Sequence, residues 1–244
     1  MAGQRKGRPA TGRKNSGRGS TPARPAPARA AAPRTARAAD APADPPRPGP
    51  FRLGAVAGAT PGKWIDTWSE RMPRTPLELV PLSAEEQIPA VHAGLVDAAI
   101  VRLPADTEGL HVIRLYTEES VVVCARESHL TVADELSAAD LAGETLIVPA
   151  DDVLDVSVPG TVAPRFPRLK TTEDAIATVA TGVGITIVPM SLARLHRRKD
   201  VEHRPLRDGP TSPVALVWSA EREDPLVDTF IGIVRGRTAR SSRG

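Results

Sequence analysis

From residue 51 onward, short apolar runs alternate with stretches in which apolar residues recur every three to four positions. That is the pattern of strands alternating with amphipathic helices. Phe51–Val56 reads as a strand, and Lys63–Arg71 as a helix with Trp64, Trp68 and Met72 on one face at i, i+4 and i+8. Pro76–Pro81 is a short strand. Ser83 with Glu86 forms a capping box ahead of a helix that places Ile88, Val91 and Leu95 together, with Pro89 positioned to shift its start or kink it. Gly94 ends that helix, and Ala98–Arg102 is apolar enough to be a buried strand. This βαβαβ order predicts a parallel sheet with right-handed crossovers.

A second run follows. Val112–Tyr116, Ser120–Ala125, Thr145–Val148, Ile185–Pro189 and Pro213–Ser219 read as strands. Ser137–Leu141, Thr172–Thr181 and Ser191–His196 read as helices, and Gly182-Val-Gly184 as a C-cap and tight turn. Pro225–Arg235 is a closing amphipathic helix with Leu226, Phe230 and Val234 at i, i+4 and i+8. There is no repeat at a solenoid period. Residues 1–50 are unlike the rest: they hold ten of the 25 prolines, no aromatic residue and almost no large aliphatic. Such a segment buries too little apolar area to offset its ordering entropy and is predicted to be disordered. The expected organisation is an arm over 1–50, an α/β domain over 51–236 and a basic tail over 237–244.

Charge sharpens that division. The chain carries +3 in all, but residues 1–50 contain eleven Lys and Arg against two Asp and Glu, a net of +9, which leaves −6 for residues 51–244. The basic balance therefore belongs to the arm, and the folded part is not drawn to nucleic acid by charge. One cysteine, Cys124, excludes an internal disulfide framework and fits a reducing compartment. No apolar run approaches the ~18 residues that span a membrane, and the Arg-rich start lacks the apolar core of a secretory signal. A cytoplasmic protein, free or nucleoid-associated, without membrane contact is expected.

The order of elements carries a family resemblance. "FRLGAV", "IPAVHAGLVDAAIV", "VVVCARESHL" followed by "LSAADLAGETLIV", "TTEDAIATVATGVGITIVP" and "PVALVWS" with the closing helix occur in sequence from about Phe51 to Val234. Together they resemble the effector-binding domain of LysR-type transcriptional regulators. The resemblance implies an α/β fold of two Rossmann-like lobes, one over 51–113 and 207–236 and the other over 114–206, with a central cleft, periplasmic-binding-protein-like of type 2, in which the cleft holds a small, anionic effector. It also implies a homodimer, with apolar positions at Ile88–Leu95 and Leu192–Leu195 as the paired faces. Residues 1–50 show no helical apolar period, so the family's winged helix-turn-helix is not expected there. The stretch 150–170, broken by Pro159, Pro164 and Pro167, has room for a turn or two of helix at Asp151–Val156, where the family has a substantial one beside the cleft.

Candidate chemistry is sparse. In the cleft that the resemblance implies, Thr60 and Ser83 offer hydroxyls and free helix amides to a carboxylate, and each also fits an ordinary N-cap. Arg102, at the C-terminal end of a buried strand, is placed to pair with an anion or to lie at the surface. In the arm, "RKGRPA" resembles an AT-hook core, and "GRKNSGRGS" is a looser echo. Arg5, Lys6, Arg8, Arg13, Lys14 and Arg18 are the expected DNA contacts. Gly58-Ala-Thr-Pro-Gly62-Lys63-Trp64 imitates a P-loop but is one residue short, and Trp64 stands where Mg²⁺ needs a hydroxyl. The five histidines and Cys124 show no metal-ligand spacing, so no metal or other cofactor is expected. No nucleophile, base and orienter set is present, which argues against an enzyme. The expectation is a ligand-sensing regulatory domain tethered to DNA by its arm. The alternatives are a stand-alone small-molecule binder and a degenerate domain kept for protein contacts.

Overall fold

The structure, a computed structural model, describes residues 49–236. The six arm residues proposed as DNA contacts, Arg5, Lys6, Arg8, Arg13, Lys14 and Arg18, lie outside the described residues, as does the tail from 237.

Two sheets form two lobes. The larger has five strands in the order β2-β1-β3-β8-β4, built from β1 (Phe51–Val56), β2 (Leu77–Leu82), β3 (Ala98–Arg102), β4 (Leu110–Glu118) and β8 (Ser212–Ser219). β1 runs parallel to β2 and β3, as the βαβαβ pattern predicts, and β8 returns antiparallel between β3 and β4. Both faces of this sheet are covered, and side-chain alternation explains why its central strands are apolar throughout. Ala98, Ile100, Val214 and Leu216 join Phe51 and Leu53 on one face, against α1 (Gly62–Arg71) and α5 (Pro225–Val234). Ala99, Val101, Ala215 and Val217 face the other way, against Ala90 and Val91 of α2 (Pro89–His92). The first face is anchored by Phe51, Trp68 and Phe230, with ring centroids 4.6, 5.2 and 6.0 Å apart. The buried indole of Trp68 is satisfied by donating to the Thr75 carbonyl at 2.8 Å.

The second lobe is smaller. Its sheet has three strands in the order β6-β5-β7, all antiparallel: β5 (Ser120–Ala125), β6 (Thr186–Pro189) and β7 (Val201–Pro205). Here too the strands alternate between two cores. Val122, Cys124 and Ile187 face Leu136 and Leu141 on one side, while Val121, Val123 and Val188 face α3 (Thr172–Val179) and α4 (Met190–Leu195) on the other. β7 has no apolar alternation and was missed from sequence; its residues are half-exposed at the sheet edge.

Two elements differ from expectation. The Ser83 box forms, with the Glu86 carboxylate accepting from the Ser83 amide and hydroxyl at 3.1 and 2.8 Å. Yet residues 84–88 stay in turns and helix begins only at Pro89, because proline is tolerated in a first turn but not inside a helix. The helix stops at His92, so Leu95 does not share a face with Val91 and is 63% exposed. Thr145–Val148 is not a full strand. It makes isolated parallel bridges to Val162 and Ile185, since the chain beside it is interrupted by prolines and cannot extend a ladder. Residues 150–170 contain no helix; instead the Asp152 carboxylate ties a turn by accepting from the amides of Leu154 and Val156, both at 3.0 Å. This irregular stretch and Leu146–Val148 enclose an apolar pocket of about 490 Å³ lined by side chains such as Leu146, Val158 and Phe166.

Candidate functional site

The chain leaves the larger sheet at Glu118 and enters the smaller one at Ser120. Beside this crossing lies a groove of about 610 Å³. Gly58 and Thr60, from the loop between β1 and α1, line one wall, Tyr116 and Glu118 the crossing, and Ser191 and Arg194 of α4 the other wall. Thr60 is exposed and precedes Pro61, the N-cap of α1, where no side chain caps the helix. The Trp64 amide is taken by the Pro61 carbonyl at 2.9 Å, and the Gly62 and Lys63 amides ahead of it retain their capacity for an anion.

Beneath the groove sits Arg102, 4% exposed, and so not the surface residue that was one reading of it. Its backbone is held by Gln87, whose side chain accepts from the Arg102 amide at 2.8 Å and donates to its carbonyl at 3.2 Å. The guanidinium donates to the Glu118 carboxylate at 3.0 Å, to the hydroxyls of Ser212 and Ser191 at 2.8 and 2.9 Å, and to the Ala57 carbonyl at 3.1 Å. Ser191 in turn donates to the same Glu118 oxygen at 2.7 Å. One buried cation thus joins β3, β4 and β8 of the first lobe to α4 of the second. Gly58 makes this approach possible. It has φ +83°, and a Cβ there would lie 2.5 Å from the Ser191 hydroxyl and 3.1 Å from the guanidinium.

The structure brings Thr60 and Arg102 to one place. It does not bring Ser83 there: its hydroxyl is committed to Glu86, and it does not line the groove. Sequence reasoning missed Glu118, Ser191 and Ser212, and no local signal marks them. They lie 16, 89 and 110 positions from Arg102 and meet it only in three dimensions. Tyr116 also lines the groove and was not singled out from the sequence. Burial pushes its hydroxyl up from the usual value, Glu118 adds to that and Arg102 opposes it.

Cys124 lies in the second lobe's core, where burial raises its thiol above the ordinary range. Among the described residues no group of three or more His, Cys, Asp or Glu is arranged to hold a metal ion, and no helix is long and apolar enough to cross a membrane.

Comparison with known proteins fits this geometry. The family described as LysR substrate binding domain matches residues 46–239. Among curated proteins, the transcriptional regulator CatR of Pseudomonas putida is 28% identical over 168 residues, which cover 65% of this chain and 57% of CatR. The Hca operon transcriptional activator HcaR of Escherichia coli K12 is 27% identical over 181 residues, 69% of this chain and 60% of HcaR. A probable hydrogen peroxide-inducible genes activator of Mycobacterium leprae is 28% identical over 167 residues, 64% of this chain and 53% of its own length. The chain thus spans somewhat over half the length of these relatives, which are named as regulators and not as enzymes. Among solved structures, the reduced OxyR regulatory domain of Pseudomonas aeruginosa matches with a TM-score of 0.61 at 21% identity, over 77% of this chain and 97% of that one. The effector-binding domain of BenM, solved with its effector benzoate, matches with 0.63 at 19% identity, over 80% and 95%. On the extent of the family match and the two-lobed α/β architecture, this chain belongs to the LysR substrate-binding domain family.

Proposed function

We propose that this chain is a cytoplasmic, ligand-sensing regulatory domain, and that the groove between its lobes takes a small carboxylate. The observation that carries this reading is Thr60, which lines the groove just ahead of the N-terminus of α1, where no side chain caps the helix, with α4 as the opposite wall. A volume of about 610 Å³ lies within the range of small-molecule sites. Thr60 and the α1 amides bind the carboxylate, and Ser191, already tied to Arg102, reports its presence to the first-lobe sheet. Benzoate, the effector of BenM, is the natural first probe. The test is a thermal-shift and calorimetric screen of benzoate and other aromatic and aliphatic monocarboxylates. A binder should lose about tenfold or more in affinity with Thr60→Ala, the value of one hydrogen bond to a charged group. Ser83→Ala, outside the groove, is the comparison: a larger loss there than at Thr60 would move the site.

The arm supplies DNA contact in this proposal. Its ten basic and no acidic residues up to position 37 suit phosphate neutralisation. Deleting residues 1–50 should abolish duplex binding measured by fluorescence anisotropy, and Arg8→Ala should weaken A·T-rich duplex more than G·C-rich. Unchanged binding after the deletion would overturn the tether. The exposed Leu95 and Leu195, 63% and 56% accessible, are the proposed dimer contacts. A peroxide-sensing thiol pair is not supported, since the 244 residues hold one cysteine and it is buried.

A further inference from the structure

Four of the six residues 194–199 are Arg or Lys. They follow α4 and, with the end of β5 and the start of β7, surround a concavity of about 780 Å³. Its floor is apolar, from Val123, Ala193 and Val201, and its rim carries Arg126, Arg194, Arg197, Arg198 and Lys199. Only part of that charge is answered. Arg198 is held by Asp200 through two bonds of 2.9 Å. Glu202 serves both Arg126 at 3.3 Å and Arg204 at 3.8 Å. Arg194, Arg197 and Lys199 have no carboxylate partner among the described residues. The negative end of a helix dipole favours cations in the last turn, which accounts for Arg194. The helix ends at Leu195 with His196 as its C-cap, so the dipole does not account for Arg197 and Lys199.

We propose that this concavity is a second ligand site, for a small phosphorylated molecule that carries at least two phosphates and an apolar or planar body. The cations line one concavity, where their fields add locally. Guanidinium forks match phosphate oxygens bidentately, and lysine adds a point charge. The apolar floor receives the rest of the ligand. A nucleic-acid backbone fits less well. It needs a stripe of cations on a face that does not repel it, whereas these converge in a hollow on a part of the chain, residues 51–244, whose net charge is −6. Arg194 lines both this concavity and the groove between the lobes, so a ligand here would bear on the helix that carries Ser191.

The test uses the full chain with pyrophosphate and ADP as probes, read by calorimetric titration and by melting temperature against sodium chloride of matched ionic strength. Both probes should saturate, and ADP should bind more tightly because its base covers the floor. Arg197→Ala/Lys199→Ala should weaken both by tenfold or more. The charge-matched Arg165→Ala/Lys170→Ala, away from the concavity, should change them less than twofold. Both pairs are exposed, so unliganded melting temperatures should hold. Three results would overturn the proposal: no saturable binding of either probe, equal losses in the two double variants, or a short DNA duplex that depends on Arg197 and Lys199 while neither probe binds. Pyrophosphate binding as tightly as ADP would remove the floor from the site and overturn the ligand class.

Discussion

Removing the Glu118 carboxylate is the most demanding test of the lobe junction. Arg102 and Glu118 have side chains 4% and 10% exposed and are 3.0 Å apart. Glu118→Ala leaves the guanidinium buried with three neutral acceptors, the hydroxyls of Ser191 and Ser212 and the Ala57 carbonyl. It also strips Ser191 of its acceptor. Breaking a buried pair from one side costs about 3–5 kcal/mol, chiefly because the remaining charge is uncompensated. With an m-value of about 2–3 kcal/mol/M for a domain this size, the urea midpoint should fall by roughly 1–2 M. The emission of Trp64, Trp68 and Trp218 provides the signal. Arg102→Met removes the charge instead, and the double variant should be less unstable than the sum of the two single losses, with about 2 kcal/mol of coupling. A loss below about 1 kcal/mol for Glu118→Ala would refute the reasoning, because it would mean that groove water already solvates Arg102 and the pair does not tie the lobes.

Three further outcomes follow from single features. The hydroxyl of Thr186 is fully buried without a hydrogen-bond partner, so Thr186→Val should stabilise by about 1 kcal/mol in the same denaturation assay, and a destabilisation would show that the hydroxyl is satisfied. Cys124 should resist iodoacetamide at pH 8 in the native state and react at the rate of unfolding; fast native labelling would contradict its burial and raised pKa. Hydrogen bonds from Ser83, Ser137 and Arg198 hold the carboxyls of Glu86, Asp140 and Asp200 below their ordinary values. A depressed folded value contributes stability above the unfolded pKa and loses it as pH falls through the folded one. The combined Glu86→Gln, Asp140→Asn and Asp200→Asn variant should therefore show a shallower loss of stability below about pH 4 than the parent, and equal slopes would count against it.

The α/β class was legible in the chain because strands buried on both faces must be apolar at every position, and Ala98–Arg102 and Pro213–Ser219 announce that locally, whereas the division into two lobes came from the family resemblance. Helices with one buried face were legible for the same reason, as Trp64, Trp68 and Met72 or Leu226, Phe230 and Val234 show. Thr60 was singled out because a helix start is a local signal, although the N-cap itself is Pro61. What the sequence left open was whatever depends on partners far along the chain. Arg102 reads identically whether it faces solvent or Glu118, since the acceptors that decide the matter come from β4, α4 and β8. Ser83 satisfies a capping pattern and Pro89 left a shifted start or a kink open; the structure takes the shifted start. Thr145–Val148 has the composition of a strand and lacks a neighbour able to extend one. The basic run after α4 looks like an ordinary solvated turn until β5 and β7 fold beside it and close a concavity around its charges. Local patterning determines which segments are ordered and which faces are buried. Coulomb and hydrogen-bond partnerships act through space, so the tertiary structure alone decides which charges are neutralised and which remain free to bind.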